Sequence, residues 1–335
     1  MAAGDPVPGS LFIYAPNQGA PVFFAVAFAI SAVGHFWQCS RYKCFSLLGL
    51  HPVCATLFTA GYALREYASF NYLYSPQNLI FYIVSQVLIF ICPPLLELAN
   101  YHVLGRVFYY VPHRAPLPPG RVLATFGGLM ALVEALNAIG VALAANPTSS
   151  QPQQSLGKHL TVAALAIQVA VIIIFVILAG MFHRRCAQAK IRAKPVSTTL
   201  LTLYASMTLI FIRCVFRLVE HSGNTSVRLK DIDSLRSLTP LLRYEWFFYV
   251  FEATLMLLNS VLWNVWNPGR YLRRGVYLSR DGTSELQGGK DLDERSLGQK
   301  IGSVVTFGLL FRNKKQSKAF EELRDLSSAD NQGPS

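Results

Sequence analysis

Residues 159–182 read HLTVAALAIQVAVIIIFVILAGMF, with no Lys, Arg, Asp or Glu among them. A helix crosses the hydrocarbon core of a bilayer with about 20 predominantly apolar residues. The stretch therefore predicts a membrane-spanning helix, and six more are predicted in the same way at 20–37, 45–64, 79–104, 122–144, 197–219 and 245–266. Pro93-Pro94 falls inside the third, where it must kink the helix or end its regular part. Turn formers separate the spans, as at Ser75-Pro76-Gln77-Asn78 and 116–120. Tyr72, Tyr74, Trp246, Tyr249, Trp263 and Trp266 crowd the span ends, as an interfacial belt requires. The predicted fold class is an all-α, seven-transmembrane helix bundle.

Composition points the same way. Hydrophobic residues make up 52% of the 335 and charged residues 14%, against roughly 25% charged in a soluble domain. The net charge of +12 would suit a nucleic-acid binder, but the cations lie in short loops and a tail. No basic face is interleaved with stacking aromatics, so nucleic acid is not an expected partner. Met1 to Gly19 lacks Lys and Arg, hence the positive region of a cleavable signal, and the first span is expected to be retained. The six cysteines show no C-x2-C spacing, and neither a disulfide framework nor a metal site is expected.

Cation counts orient the bundle. The odd loops and the tail carry 22 Lys and Arg, while the N-terminus and even loops carry 6. Without the tail the bias is 10 against 6, so the first set is expected in the cytoplasm. Asn224-Thr225-Ser226, a candidate glycosylation sequon at Asn224, falls in a loop that this orientation places outside. Three parts follow: a short extracellular N-terminus (1–19), the bundle (20–266), and a basic cytoplasmic tail (267–335). From Ser279 the tail is rich in Gly, Ser and charge, and it is expected to be largely disordered. Within it, the apolar run 301–311 precedes Arg312, Lys314, Lys315 and Lys318. Such a run either rests on the inner leaflet or has no membrane role.

Ionisable groups inside spans cost at least ~2.5–3.5 kcal/mol each at mid-helix and face the bundle or a wet cavity. Arg213, Arg217 and Glu220, spaced by four and three, share one face of span six. Glu245, Glu252 and Asn259 recur every seven residues, which predicts one face of span seven. Arg213 and Glu252 each lie seven residues, about 10 Å, inside the outer edge, so an ion pair is expected between them. Glu134, Asn137 and Gln168 fall at mid-membrane to outer depth on spans four and five. Together with Arg213, Arg217, Glu252 and Asn259 they form the candidate substrate-binding set. Arg suits phosphate or carboxylate, and Glu134 or Glu252 suits a cationic amine or a proton. The other reading is that these groups hold helices together and fix their register. Glu97, one turn beyond Pro93-Pro94, is read as structural and on the cytoplasmic side, with the alternative that it meets cations or polar groups near the kink. His35 and His51 are read as core residues. Pro268-Gly269-Arg270 ends span seven and leaves basic residues at anionic headgroups.

The last two spans resemble a known family. Leu203-Tyr204, Ile212-Arg213, Phe216-Arg217 and Glu220, then Glu245, Tyr249-Val250-Phe251-Glu252 and Asn264-Val265-Trp266-Asn267-Pro268-Gly269-Arg270, look like the fungal lipid-translocating exporters. These are the seven-span proteins named for resistance to aminocholesterol. Tyr14, Pro16, Phe28, His35, Gln38, Gly61-Tyr62, Arg65, Gln86, Pro93-Pro94, Tyr101 and Leu104-Gly105-Arg106 extend the likeness, as do Gly157, Gln168, Phe175 and Phe182-His183-Arg184-Arg185. Departures mark a divergent member. No acid stands in 55–58, Gly127 and Glu134 replace an Asp and a Gln, Asn267 replaces His, and Glu252 stands where Asp is common.

The resemblance implies export of amphipathic lipids or lipid-like toxins, such as sphingoid bases, fatty acids or sterol-like amines, with efflux and drug resistance as the outcome. Membrane lipids and an amphipathic substrate are then the partners, and the plasma membrane is the expected location, with an endomembrane as the alternative. No cofactor is expected, and Gly288-Gly289-Lys290 is not a nucleotide-binding loop, so ATP is not expected to drive transport. A seven-helix lipid sensor shares this topology. A membrane-embedded lipid hydrolase needs clustered His and Asp, yet His35, His51, His102 and His159 are scattered and no Asp lies in a span.

Overall fold

A computed structural model describes residues 5–145, 151–191, 193–223, 235–272, 275–279 and 285–287. Asn224 and the apolar run 301–311 lie outside the described residues. The described residues are all-α apart from one small hairpin. Its helices are α1 (Ala20–Arg41), α2 (Phe45–Leu48), α3 (Leu50–Phe70), α4 (Pro76–Phe90), α5 (Cys92–Tyr110), α6 (Pro119–Ala145), α7 (Gln151–Gln188), α8 (Lys194–Ser222), α9 (Pro240–Arg243), α10 (Glu245–Phe248) and α11 (Leu255–Val265). A π-helical turn, Tyr249–Thr254, joins α10 to α11.

Six of these rods are long and apolar enough to cross a membrane; α4–α5 counts as one and α10–α11 as another. The second predicted span, α3, has the length at 21 residues but falls short in composition, because it carries His51, Thr56, Thr59, Arg65 and Glu66. The third breaks where its prolines predict. Helix α4 stops at Phe90, and Pro93 sits in the first turn of α5, where a missing N–H costs no hydrogen bond. Ser75 caps α4 by accepting from the Asn78 N–H at 3.1 Å.

Helix α5 is the axis of the bundle, with 14 of its 19 residues buried. It packs on α3, α6 and α8, while α1 packs on α3 and α11, and α7 on α6 and α8. The outward faces carry Ile30, Val33, Ile174 and Leu201, each more than half exposed. An apolar sheath of this kind is stable against lipid and not against water. Two glycines permit close approach: a Cβ on Gly61 would lie 2.8 Å from Ile89 Cγ1, and one on Gly140 would lie 2.8 Å from both the Gly157 oxygen and the Thr161 nitrogen.

The ends of the bundle are closed differently. At the upper end, where the N-terminus lies, residues 11–14 fold down onto the helices; Leu11 and Phe12 pack with Ala68, and Ile13 with Leu235 and Leu238. At the lower end, Asn267 accepts from the Gly269 N–H at 2.8 Å and donates to Gln38 Oε1 at 2.6 Å, tying the Pro268–Arg270 turn to α1. Beyond it, Val276–Leu278 (β1) pairs antiparallel with Glu285–Gln287 (β2). The second strand falls in the stretch after Ser279 that composition reads as irregular.

Candidate functional site

The Lys158 ammonium donates to the Gly223 carbonyl at 2.5 Å, which fixes the relative height of α7 and α8 at the upper end. Gln168 and Arg213 are each ten residues along from that rung, so both lie about 15 Å below it. At this depth, four rods enclose a cavity of about 40 Å³. Phe90 and Pro94 come from the α4–α5 kink, Glu134 and Asn137 from α6, Leu165 and Gln168 from α7, and Arg213, Arg217 and His221 from α8. Five of the seven candidate residues thus meet on one surface. Glu134 is hydrogen-bonded to Asn137. Arg217 donates to Glu220 at 2.6 Å and lies over the Phe90 ring at 4.4 Å, which holds its guanidinium at the mouth.

Glu252 stands one layer behind the cavity. Its Oε1 accepts from Arg213 Nε at 2.6 Å, with the Glu252 side chain fully buried and that of Arg213 6% exposed. The two residues of matched depth are therefore paired. The second oxygen, Oε2, has no hydrogen-bond partner among the described residues, nor has the neighbouring Tyr62 hydroxyl.

The expectation that Glu245, Glu252 and Asn259 share one face is corrected by the π turn. Its wider backbone, marked by Thr254 Oγ1 donating five residues back to the Tyr249 carbonyl at 2.8 Å, rephases the helix between Glu245 and Glu252. Glu245 consequently turns to α3 and accepts from Arg65 at 3.2 Å, while Glu252 turns to α8. Asn259 is fully buried below, away from the cavity, and neither of its amide atoms has a hydrogen-bond partner among the described residues.

Two arrangements escaped the sequence reading. Arg65, only 2% exposed, is boxed by the rings of Phe12 (4.8 Å), Phe248 (4.1 Å) and Tyr249 (5.5 Å), and it donates to the Tyr14 hydroxyl at 3.2 Å. Burial there raises the Tyr14 phenol above its ordinary range. The Glu245 carboxylate, shared between Arg65 and the Asn17 N–H at 2.7 Å, completes this upper seal. Only the motif Gly61-Tyr62 with Arg65 hinted at it. The second arrangement is the identity of the polar partners of Glu97 near the kink: it accepts from Gln168 Nε2 at 2.9 Å as well as from the Tyr101 hydroxyl.

Below the cavity, Ser206 links Asn100 (2.9 Å) to the Trp263 indole N–H (3.0 Å). His51 stacks on His35 and packs at a tilt against Trp263, and His35 is 3.2 Å from Ser260 Oγ. Both histidines are buried core residues. Among the described residues no three His, Cys, Asp or Glu side chains are grouped to hold a metal ion.

A bundle of apolar rods with charged and amide groups gathered on a cavity inside it defines a polytopic membrane protein with a polar site within the bundle. Comparison with known proteins supplies the family. A profile described as "RTA1 like protein" matches residues 52–275, and the chain belongs to that family. A "Lipid-translocating exporter-like protein RTA1" of Leptosphaeria maculans is 54% identical over 94% of this chain and 62% of its own length. A protein of the same name from Ajellomyces capsulatus is 30% identical over 70% of this chain and 75% of its own. A "Probable lipid transporter atnI" of Emericella nidulans is 24% identical over 79% and 69%. The chain thus spans 62% of the length of its Leptosphaeria maculans relative. No solved structure matches it.

Proposed function

We propose that this protein moves amphipathic lipids, of the sphingoid-base, fatty-acid or sterol-like amine kind, across a membrane without ATP, through the cavity between α4–α5, α6, α7 and α8. Seven passages, with α3 as the seventh, put the N-terminus and the upper seal outside and the Pro268–Arg270 turn in the cytoplasm. The cation bias between loops supports that orientation, and the plasma membrane is the expected home. No catalytic step is assigned.

The observation that carries the reading is the convergence of Glu134, Asn137, Gln168, Arg213 and Arg217 on one cavity inside the bundle. Charged and amide side chains at membrane depth mark a path for a polar group. Arg217 offers a guanidinium to a phosphate or carboxylate, and Glu134 offers a carboxylate to an amine. At about 40 Å³ the cavity holds a few waters and no headgroup. This conformation is accordingly closed, with the upper end sealed by Arg65 and residues 11–14. The relatives' names, lipid-translocating exporter and probable lipid transporter, agree with the reading.

The test is reconstitution of the full chain in liposomes with a fluorescent sphingoid base and a fluorescent phospholipid. Transbilayer movement of either probe above that of protein-free liposomes is expected, reduced at least tenfold by Glu134→Gln or Arg217→Gln. Binding of the probes with no movement would favour a lipid sensor and overturn the proposal.

A further inference from the structure

Four acidic side chains lie buried or largely buried among α5, α8, α10 and the π turn, and three of them have an arginine: Glu220 has Arg217, Glu245 has Arg65, and Glu252 has Arg213. Glu97 has no ion-pair partner among the described residues, although none of its surface is exposed. Its two oxygens accept only from neutral groups, the Tyr101 hydroxyl on its own helix and the Gln168 amide on α7. The charged groups whose fields reach it are Glu134 on α6 and Arg213 on α8. Arg213 is already committed to Glu252 at 2.6 Å.

A carboxylate fully removed from water and left without a cation costs several times a neutral hydrogen bond, and two donors return a comparable sum. Neither protonation state is therefore locked, unlike the three arginine-paired acids, whose charge is compensated in place. What tips such a balance is water. Gln168 is the link: one amide both lines the cavity and donates to Glu97, so the carboxyl sits directly behind the cavity wall. Widening the cavity to admit a headgroup brings water to Glu97, which stabilises its carboxylate and screens the Glu134 charge that opposes it. The kink at Pro93-Pro94, whose Pro94 lines the same cavity, lies one turn from Glu97 and gives that widening a place to begin.

We propose that Glu97 is a proton-binding residue that couples lipid movement to a proton gradient: its carboxylate takes a proton from cavity water while the cavity is open to one side of the membrane, the O–H bond persists through the closed state, and it breaks to release the proton to cavity water when the cavity opens to the other side. The proposal rests on the transport reading above, and it goes beyond that reading by naming the coupling ion and its carrier.

The experiment uses the full chain in liposomes loaded with a pH-sensitive dye, with a fluorescent N,N,N-trimethyl sphingoid base as probe, since a permanent cation cannot itself ferry protons. Probe movement is expected to change at least fivefold when an imposed pH gradient is reversed, with proton movement accompanying it. Glu97→Gln, whose one amide oxygen can still accept from Gln168 while its NH2 donates to the Tyr101 hydroxyl oxygen, is expected to remove the gradient response while probe movement persists. Glu97→Asp should retain part of the response. Separately, the infrared band of a protonated buried carboxyl should be present in the native protein, lost in Glu97→Gln, and shifted in its titration midpoint by Tyr101→Phe. Probe movement indifferent to the gradient, or a gradient response that survives Glu97→Gln, overturns the coupling and leaves transport standing. Absence of movement by the probe and by the lipids used above overturns the transport reading, and with it the coupling. A carboxyl band unaffected by Glu97→Gln overturns Glu97 as the proton site in either case.

Discussion

Removing one partner of the Arg213–Glu252 pair is the most informative perturbation. The Glu252 side chain is fully buried and that of Arg213 is 6% exposed, with 2.6 Å between nitrogen and oxygen. Arg213→Met would leave a carboxylate with neither water nor cation, and Glu252→Leu would leave a guanidinium likewise. Breaking a buried pair in this way costs ~3–5 kcal/mol, whereas replacing both partners with apolar groups of similar volume is about neutral or stabilising. At about 1.4 kcal/mol per tenfold, each single variant should lose at least two orders of magnitude in its folded-to-unfolded ratio. The double variant should return to within ~1 kcal/mol of the native protein. Unfolding in detergent micelles, followed by circular dichroism across a denaturant series, measures all four proteins and closes a double-mutant cycle. Singles within ~1 kcal/mol of native, or singles whose losses simply add in the double, would refute the pair as a buried, mutually compensating unit. Lipid flux then separates the two roles: a stable double variant that still moves lipid makes the pair structural, and a stable one that does not makes it part of the path.

Three further outcomes are expected. Gly140→Leu should lower the midpoint of thermal unfolding, because even its Cβ would sit 2.8 Å from the backbone of α7; overpacking of this kind costs ~1–3 kcal/mol or more, and size-exclusion profiles would show the loss. Arg65→Lys should open the upper end to proteases near residues 11–14, since an ammonium cannot stack between Phe12 and Phe248 while also reaching Tyr14 and Glu245; limited proteolysis at unchanged thermal stability checks this. Deleting residues 288–335 should leave the unfolding midpoint of the bundle unchanged, and a degraded or destabilised truncation would contradict that.

Much of the fold could be read from chain chemistry, because a bilayer asks only for length and apolarity. The 159–182 run lies within α7, and the prolines at 93 and 94 mark the break between α4 and α5 to within a few residues. Matched depth was enough to bring Arg213 to Glu252. What the sequence concealed depends on neighbours. Nothing in the surroundings of Glu97 along the chain says that Gln168, seventy-one residues away, would be its second donor. Arg65 counts as a loop cation in the charge tally, yet it is buried among aromatic rings supplied by two segments far from it in sequence, at Phe12 and at Phe248-Tyr249. The six-residue π turn left no periodic trace, and a strict repeat of seven pointed Glu245 and Glu252 the same way when they serve different helices.

That turn gives the last rod an unusual mechanical property. A π turn holds one residue more than the α-helix needs, so it works as a movable dislocation: shifted by a turn along the rod, it would rotate the segment it passes by about 100° and leave both ends in place. The seal at Arg65 and the clasp between Asn267 and Gln38 anchor those ends. Glu252 lies inside the dislocation itself. The extra residue therefore lets one rod serve two neighbours at once, α3 through Glu245 and α8 through Glu252, where an unbroken α-helix would point both carboxylates the same way.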